Sequence, residues 1–65
     1  MNIDESAILN HQVKMASNED LLKLFAECIS MYDHEGARLT RGQGMAWWGE
    51  KKTIVETEIL KRMSS

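Results

Sequence analysis

The sequence predicts an all-α protein, and three observations support this fold class. The 65 residues include no proline, which is the residue that most strongly interrupts helices. Leu, Met, Ala, Glu, Lys and Gln, which favour helices, are abundant. Apolar residues in the segment 17–33 recur at steps of three and four, which places them on one helical face. We therefore expect an antiparallel helical hairpin, about 17–35 against 41–63, with a short N-terminal helix across it.

The first long helix is expected to begin after Ser17, because Ser17 and Asp20 resemble a capping box. Glu19 and Asp20 lie in its first turn, where the helix dipole favours negative charge. Gly36 is the expected stop, since glycine readily adopts the left-handed conformation that ends many helices. The predicted buried face of this helix consists of Leu21, Leu24, Phe25, Cys28, Ile29, Met31 and Tyr32.

The second long helix is predicted from about residue 41 to residue 63. Thr40 and Gln43 match a capping box at its start. Gly42, Gly44 and Gly49 each weaken a helix by about 1 kcal/mol relative to alanine, so a later start near Met45 is the alternative. The predicted apolar stripe of this helix consists of Met45, Trp48, Val55, Ile59 and Met63.

The N-terminal stretch 1–16 is compatible with two structures. Asn2 and Glu5 have the spacing of a helix cap. The side chains that such a helix would turn inward are those of Ile8, Leu9, Val13 and Ala16. The stretch also alternates, with Leu9, His11, Val13 and Met15 on one side, which would suit a strand. A lone strand needs a partner strand, so the short helix is the prediction.

The length of the chain allows one small domain, 1–65, with a marginal hydrophobic core. Cys28 is the only cysteine, so no disulfide forms within one chain, and no metal-ligand spacing is present. Oligomerisation is then the expected additional source of stability. We predict a homo-oligomer whose interface uses two flanks that a hairpin leaves uncovered, formed by Leu22, Ala26, Trp47 and Ile54.

A cytoplasmic location without membrane contact is expected. The sequence opens with MNIDES, which lacks the basic start of a secretory signal, and no apolar run approaches about 20 residues. Residues 1–36 contain seven acidic and two basic residues, whereas residues 37–65 contain six basic and three acidic residues. The resulting charges of −5 and +3 favour attraction between the two halves, and they also leave open a basic face for an anionic partner.

No group of residues predicts catalysis, a metal site or a cofactor. Cys28 lies on an apolar helical face, where cysteine behaves as a small hydrophobic residue. Asp33, His34 and Glu35 are adjacent, but consecutive residues of a helix point in different directions. We therefore expect a protein that is not an enzyme.

The segment LTRGQGMAWWGEKK, residues 39–52, is the strongest candidate for a binding surface. Arginine, an aromatic ring and open backbone at a helix start suit a nucleotide or single-stranded nucleic acid. Aromatic residues and arginines are also typical of protein interfaces. The candidate ligand- or partner-binding residues are Arg38, Arg41, Gln43, Trp47 and Lys51.

The sequence thus favours a small interaction protein that oligomerises through its helical faces. Its predicted activity is to bind an unknown partner protein and regulate it, for instance by inhibition. The alternative is a nucleotide or nucleic-acid binding module that uses the basic, Gly- and Trp-rich start of the second helix.

Overall fold

The computed structural model describes residues 1–37 and 43–65, with side chains for all of these except 34–37, 43 and 45. Three helices account for nearly all of this part of the chain: α1, Ile3–Met15; α2, Asn18–Ala37; and α3, Gln43–Met63. It contains no strand. The predicted all-α class is therefore confirmed, and the N-terminal stretch is a helix rather than a strand.

Helix α1 begins at a reciprocal capping box formed by Asn2 and Glu5. The Glu5 backbone N–H donates to Asn2 Oδ1 at 2.8 Å, and the Asn2 N–H donates to Glu5 Oε1 at 3.4 Å. Leu9 and Val13 are buried as predicted. Ile8 is 60% exposed, so its predicted inward position is wrong. It lies one position before Leu9, on the outer flank of the apolar stripe.

Helix α2 begins where the sequence predicts it. The Asp20 backbone N–H donates to Ser17 Oγ at 3.1 Å, which satisfies one of the free donors at the helix start. The helix ends at Ala37, two residues beyond the predicted end. Gly36 does not stop it, because no glycine in the described residues has the positive φ of a left-handed cap.

Helix α3 ends at Met63, in agreement with the prediction. Its predicted cap, Thr40 with Gln43, involves a residue outside the described part of the chain. Val55 is fully buried, and Trp48 and Ile59 pack against the core. Met63 is 76% exposed, so its predicted burial is wrong.

The core is small and lies where all three helices meet. Its buried side chains are Leu9, Val13, Leu21, Cys28 and Val55. Helix α3 contacts both α1 and α2 and is the element that holds the other two together. Close to one end of the α2–α3 contact, a Cβ atom at Gly49 would lie only 3.2 Å from Tyr32 Cε2. The missing side chain of Gly49 thus leaves room for the Tyr32 ring.

The three helices differ from membrane spans in their composition. Within residues 1–37 and 43–65, none of them is both long enough and apolar enough to cross a bilayer.

Candidate functional site

Trp47 is joined to α1 through its indole nitrogen. Trp47 Nε1 donates a hydrogen bond to Glu5 Oε2 at 3.2 Å. The indole is half-buried, and its ring lies 5.0 Å from the Trp48 ring in an edge-to-face arrangement with an interplanar angle of 81°. The predicted contact residue is therefore held in place by an intramolecular bond to the capping residue of α1.

Lys51 lies over both tryptophan rings. Its ammonium nitrogen is 5.4 Å from the Trp47 centroid and 4.8 Å from the Trp48 centroid, which is within cation–π range. The same nitrogen is 3.8 Å from Glu27 Oε1 on α2, and the Lys51 side chain is only 15% exposed. This contact joins the basic α3 to the acidic α2, as the charge distribution predicts.

An open groove of about 510 Å³ adjoins Trp47. The residues along its walls are Met1, Asn2, Glu5, Gly44, Ala46 and Trp47. Its described lining includes the Glu5 carboxylate, which repels an anion, and no lysine or arginine. Met1 also lines the groove, but its amino group is paired with Glu50 Oε2 at 2.7 Å, so a phosphate in this groove would depend on further cations.

The structure brings together two of the five predicted binding residues, Trp47 and Lys51. Arg38 and Arg41 lie outside the described residues. Gln43 is the first residue of α3, and its side chain also lies outside the described part of the chain. The binding of a nucleotide by this set therefore stays a prediction.

The predicted oligomer-interface residues lie in two different environments. Leu22 is 62% exposed, and Ala26 is exposed beside it on α2. Ile54 is half-buried and packs against the core, on the same helix as Trp47. The Leu22 flank is thus the more open of the two.

A second groove, of about 260 Å³, runs between α2 and α3 next to this open flank. Four of its lining side chains are apolar and two are polar. They are Leu21, Leu22, Ile59 and Met63, with Asn18 and Arg62. Its apolar character is suited to protein–protein contact rather than to a charged ligand.

Arg62 is a residue whose role sequence reasoning missed. Its guanidinium donates to the backbone carbonyls of Val13, Lys14 and Ala16 at 3.0, 3.2 and 2.8 Å. It also donates to Asn18 Oδ1 at 2.7 Å and to Glu58 Oε2 at 2.9 Å. The last carbonyls of a helix have no intrahelical donor, so Arg62 caps α1 from the end of α3. The one sequence signal was a basic residue in the last turn of α3.

Cys28 belongs to the core rather than to a reactive site. Its side chain is fully buried. Burial raises the pKa of the thiol; nearby Lys51 lowers it, and Glu27 raises it further. A thiol in such surroundings stays protonated and unreactive near neutral pH, which is consistent with its predicted role.

Comparisons of the chain with protein families, with curated proteins and with solved structures gave no match.

Proposed function

We propose that this chain is a non-enzymatic interaction protein that self-associates through its helical faces and regulates a partner protein by binding it. The proposed unit of association is an antiparallel hairpin of α2 and α3. Two contacts support this arrangement: Asn18, at the start of α2, bonds to Arg62, and Tyr32 lies beside Gly49, near the start of α3.

The observation that carries self-association is the excess surface of the single chain. Its accessible surface is 4844 Å² for a mass of 7.5 kDa. A compact monomer of this mass exposes ~4200 Å², which leaves an excess of ~600 Å². The radius of gyration, 12.2 Å, also exceeds the ~10.7 Å typical of a compact chain of this length. Such a shape gains stability when a second molecule covers its apolar flank.

Sedimentation equilibrium at micromolar concentration tests self-association directly. We expect an average mass of at least twice the 7.5 kDa of one chain. The mass should fall towards that of one chain on dilution, as mass action requires. A mass equal to one chain throughout the micromolar range would exclude the self-associating part of the proposal.

The regulatory contact is proposed to involve the surface around Trp47. Tryptophan is enriched among the residues that dominate protein interfaces, and Trp47 keeps part of its ring accessible beside an open groove. The test is affinity capture with the wild type and with Trp47→Ala, followed by binding measurements on the purified partner. Equal affinity of the two proteins for that partner would exclude Trp47 from the contact.

Nucleotide or nucleic-acid binding is the second candidate, supported by the groove that opens beside Trp47 and Gly44. It ranks second because Glu5 lines the same groove. Phosphate contacts release counterions, so such binding would weaken as salt rises. Titration of a nucleotide and a short oligonucleotide, monitored by tryptophan fluorescence, should show salt-sensitive quenching that Arg41→Ala removes. No quenching at low salt would exclude it.

A further inference from the structure

We propose that the groove between α2 and α3, lined by Leu22 and Met63, binds a second copy of this chain. This inference rests on the proposed self-association and assigns the surface that performs it. Two α2–α3 pairs would then face each other as a four-helix arrangement.

Helix α2 contributes an apolar stripe that lacks a neighbour within the described part of the chain. Leu22, Ala26 and Ile29 follow each other at four and three residues, so they share one face of the helix. All three are exposed, and the predicted burial of Ile29 is therefore wrong. Asp33, four residues after Ile29, ends the stripe at a charged and exposed side chain. The apolar part therefore extends about two turns, with the small Ala26 at its centre.

Helix α3 forms the other wall of the groove. The positions of its residues around the helix axis show which side of α3 faces the groove. Trp47 and Ile54 are seven residues apart and share a face, and Trp47 bonds to Glu5 of α1. Met63 is nine residues after Ile54, about two and a half turns, so it lies on the opposite side of α3. Met63 lines the groove with Leu22. The Met63 wall of the groove therefore faces away from the Trp47–Glu5 contact with α1, whereas Arg62, which also lines the groove, reaches the end of α1.

The surface area that the chain exposes favours a second folded copy as the occupant. The chain exposes ~600 Å² more than a compact monomer of its mass, and a standard interface removes ~800 Å² from each partner. The two areas are similar in size. A small residue at the centre of the stripe allows two helices to approach closely, because the interaxial distance depends on the side chains at the contact.

Charge at the rim also favours a second copy over a strongly charged partner. On α2, Glu19 and Lys23 form an ion pair at 3.4 Å beside the stripe. On α3, Lys52 and Glu56 share the face of Met63, at eleven and seven residues before it. These four rim residues, together with Asp33 at the end of the stripe and Arg62 in the groove, carry no net charge, so two copies would meet without net repulsion. An acidic or basic peptide would find no opposite charge in excess.

Leu22→Glu is the decisive variant, and Ile8→Glu is its matched control. The two side chains are almost equally exposed, at 62% and 60%, and both are apolar. We expect Leu22→Glu to raise the dimer dissociation constant at least a hundredfold, since each interface would gain two buried carboxylates. Ile8→Glu should leave that constant within about threefold of the wild type, because surface changes outside an interface have small effects. Sedimentation equilibrium gives all three constants, and circular dichroism confirms that each variant is folded.

The outcomes separate this inference from the proposed function. A dimeric wild type whose association survives Leu22→Glu and Ile29→Lys would overturn the groove assignment, while self-association stands. Loss of the dimer in Ile8→Glu alone would assign the interface to α1 instead. A monomeric wild type would overturn both proposals and leave the groove to another occupant. If Leu22→Glu fails to fold, Ile29→Lys on the same stripe decides the question.

Discussion

Glu5 Oε2 accepts a hydrogen bond from Trp47 Nε1 at 3.2 Å, although the two residues are 42 positions apart in the chain. The other oxygen of the same carboxylate accepts from the Asn2 backbone N–H and completes the cap of α1. The Glu5 side chain therefore both caps the start of α1 and attaches this helix to the beginning of α3. The link between them makes the Trp47 surface dependent on a folded α1.

Trp47→Phe should lower the free energy of unfolding by about 1–2 kcal/mol, because it removes the donor to a charged acceptor and some apolar contact. Urea denaturation followed by circular dichroism measures this change. Glu5→Gln is the matched control, since an amide oxygen can still accept from the indole. Glu5→Ala removes the acceptor, so its effect and that of Trp47→Phe should be non-additive in a double-mutant cycle. Full additivity would show that the bond makes no contribution.

Arg62→Met should destabilise the fold by about 2 kcal/mol or more, because three backbone carbonyls near the end of α1 lose their donor. The forked guanidinium reaches several acceptors at once, so Arg62→Lys should restore only part of the loss. Lys61→Met is the control, because Lys61 is an exposed neighbour in the same helical turn. It should change stability by less than about 0.5 kcal/mol. Equal effects of Arg62→Met and Lys61→Met would refute this capping role.

Gly49→Ala should be nearly neutral in the wild type. Alanine gains about 1 kcal/mol in helix propensity, but its Cβ would meet Tyr32 Cε2 at 3.2 Å. When Tyr32→Ser removes the ring, the same substitution should be stabilising by nearly the full amount. Thermal unfolding of the wild type, the two single variants and the double variant gives the coupling energy between positions 32 and 49. A stabilisation of equal size in both backgrounds would mean that the ring does not oppose the added methyl group.

Stability should fall at alkaline pH partly because of Cys28. Burial raises its thiol pKa in the folded chain above the ordinary value of 9.0, so the unfolded chain loses the proton first. The contribution of the protonated Cys28 thiol to the free energy of unfolding is complete below the ordinary pKa. It is lost as pH rises through the folded-state pKa. Urea denaturation between about pH 7 and about pH 10 should show a steeper loss for the wild type than for Cys28→Ala. Parallel pH profiles would contradict this contribution.

Local signals explain how much of the fold could be predicted. The caps of α1 and α2 depend on residues three positions apart, so Asn2 with Glu5 and Ser17 with Asp20 were visible in the sequence. Gly36 led to a wrong predicted end of α2, because a glycine ends a helix only where its backbone adopts the left-handed conformation. That conformation depends on the tertiary contacts of the residues after the helix, which the glycine itself does not reveal.

Periodicity predicts which face is apolar but not which neighbour covers it. It placed Val55 correctly in the core, yet it also placed Met63 there, which is 76% exposed. Met63 lies where α3 ends beside the open groove, and no described element of the same chain covers it. Val55 and Met63 therefore differ in burial because of their tertiary contacts, which periodicity does not reveal.

The candidate site was predictable only in part. The sequence singled out Trp47 and Lys51, and the structure places Lys51 over the Trp47 ring. The bond from Trp47 to Glu5 and the bonds from Arg62 to residues 13–18 join residues more than 40 positions apart. Such pairs leave no trace in local spacing, and they decide which polar groups are free to bind other molecules.

The cap that Arg62 places on α1 has a consequence for the order of folding during synthesis. The acceptors are carbonyls near the end of α1, between residues 13 and 16, whereas the donor is made 46 residues after Ala16. A growing chain therefore carries α1 with uncapped carbonyls until the last turn of α3 has emerged. An isolated helix of 13 residues is marginal in water. Helix α1 should consequently be completed after α2 and α3, although it precedes both of them in the chain.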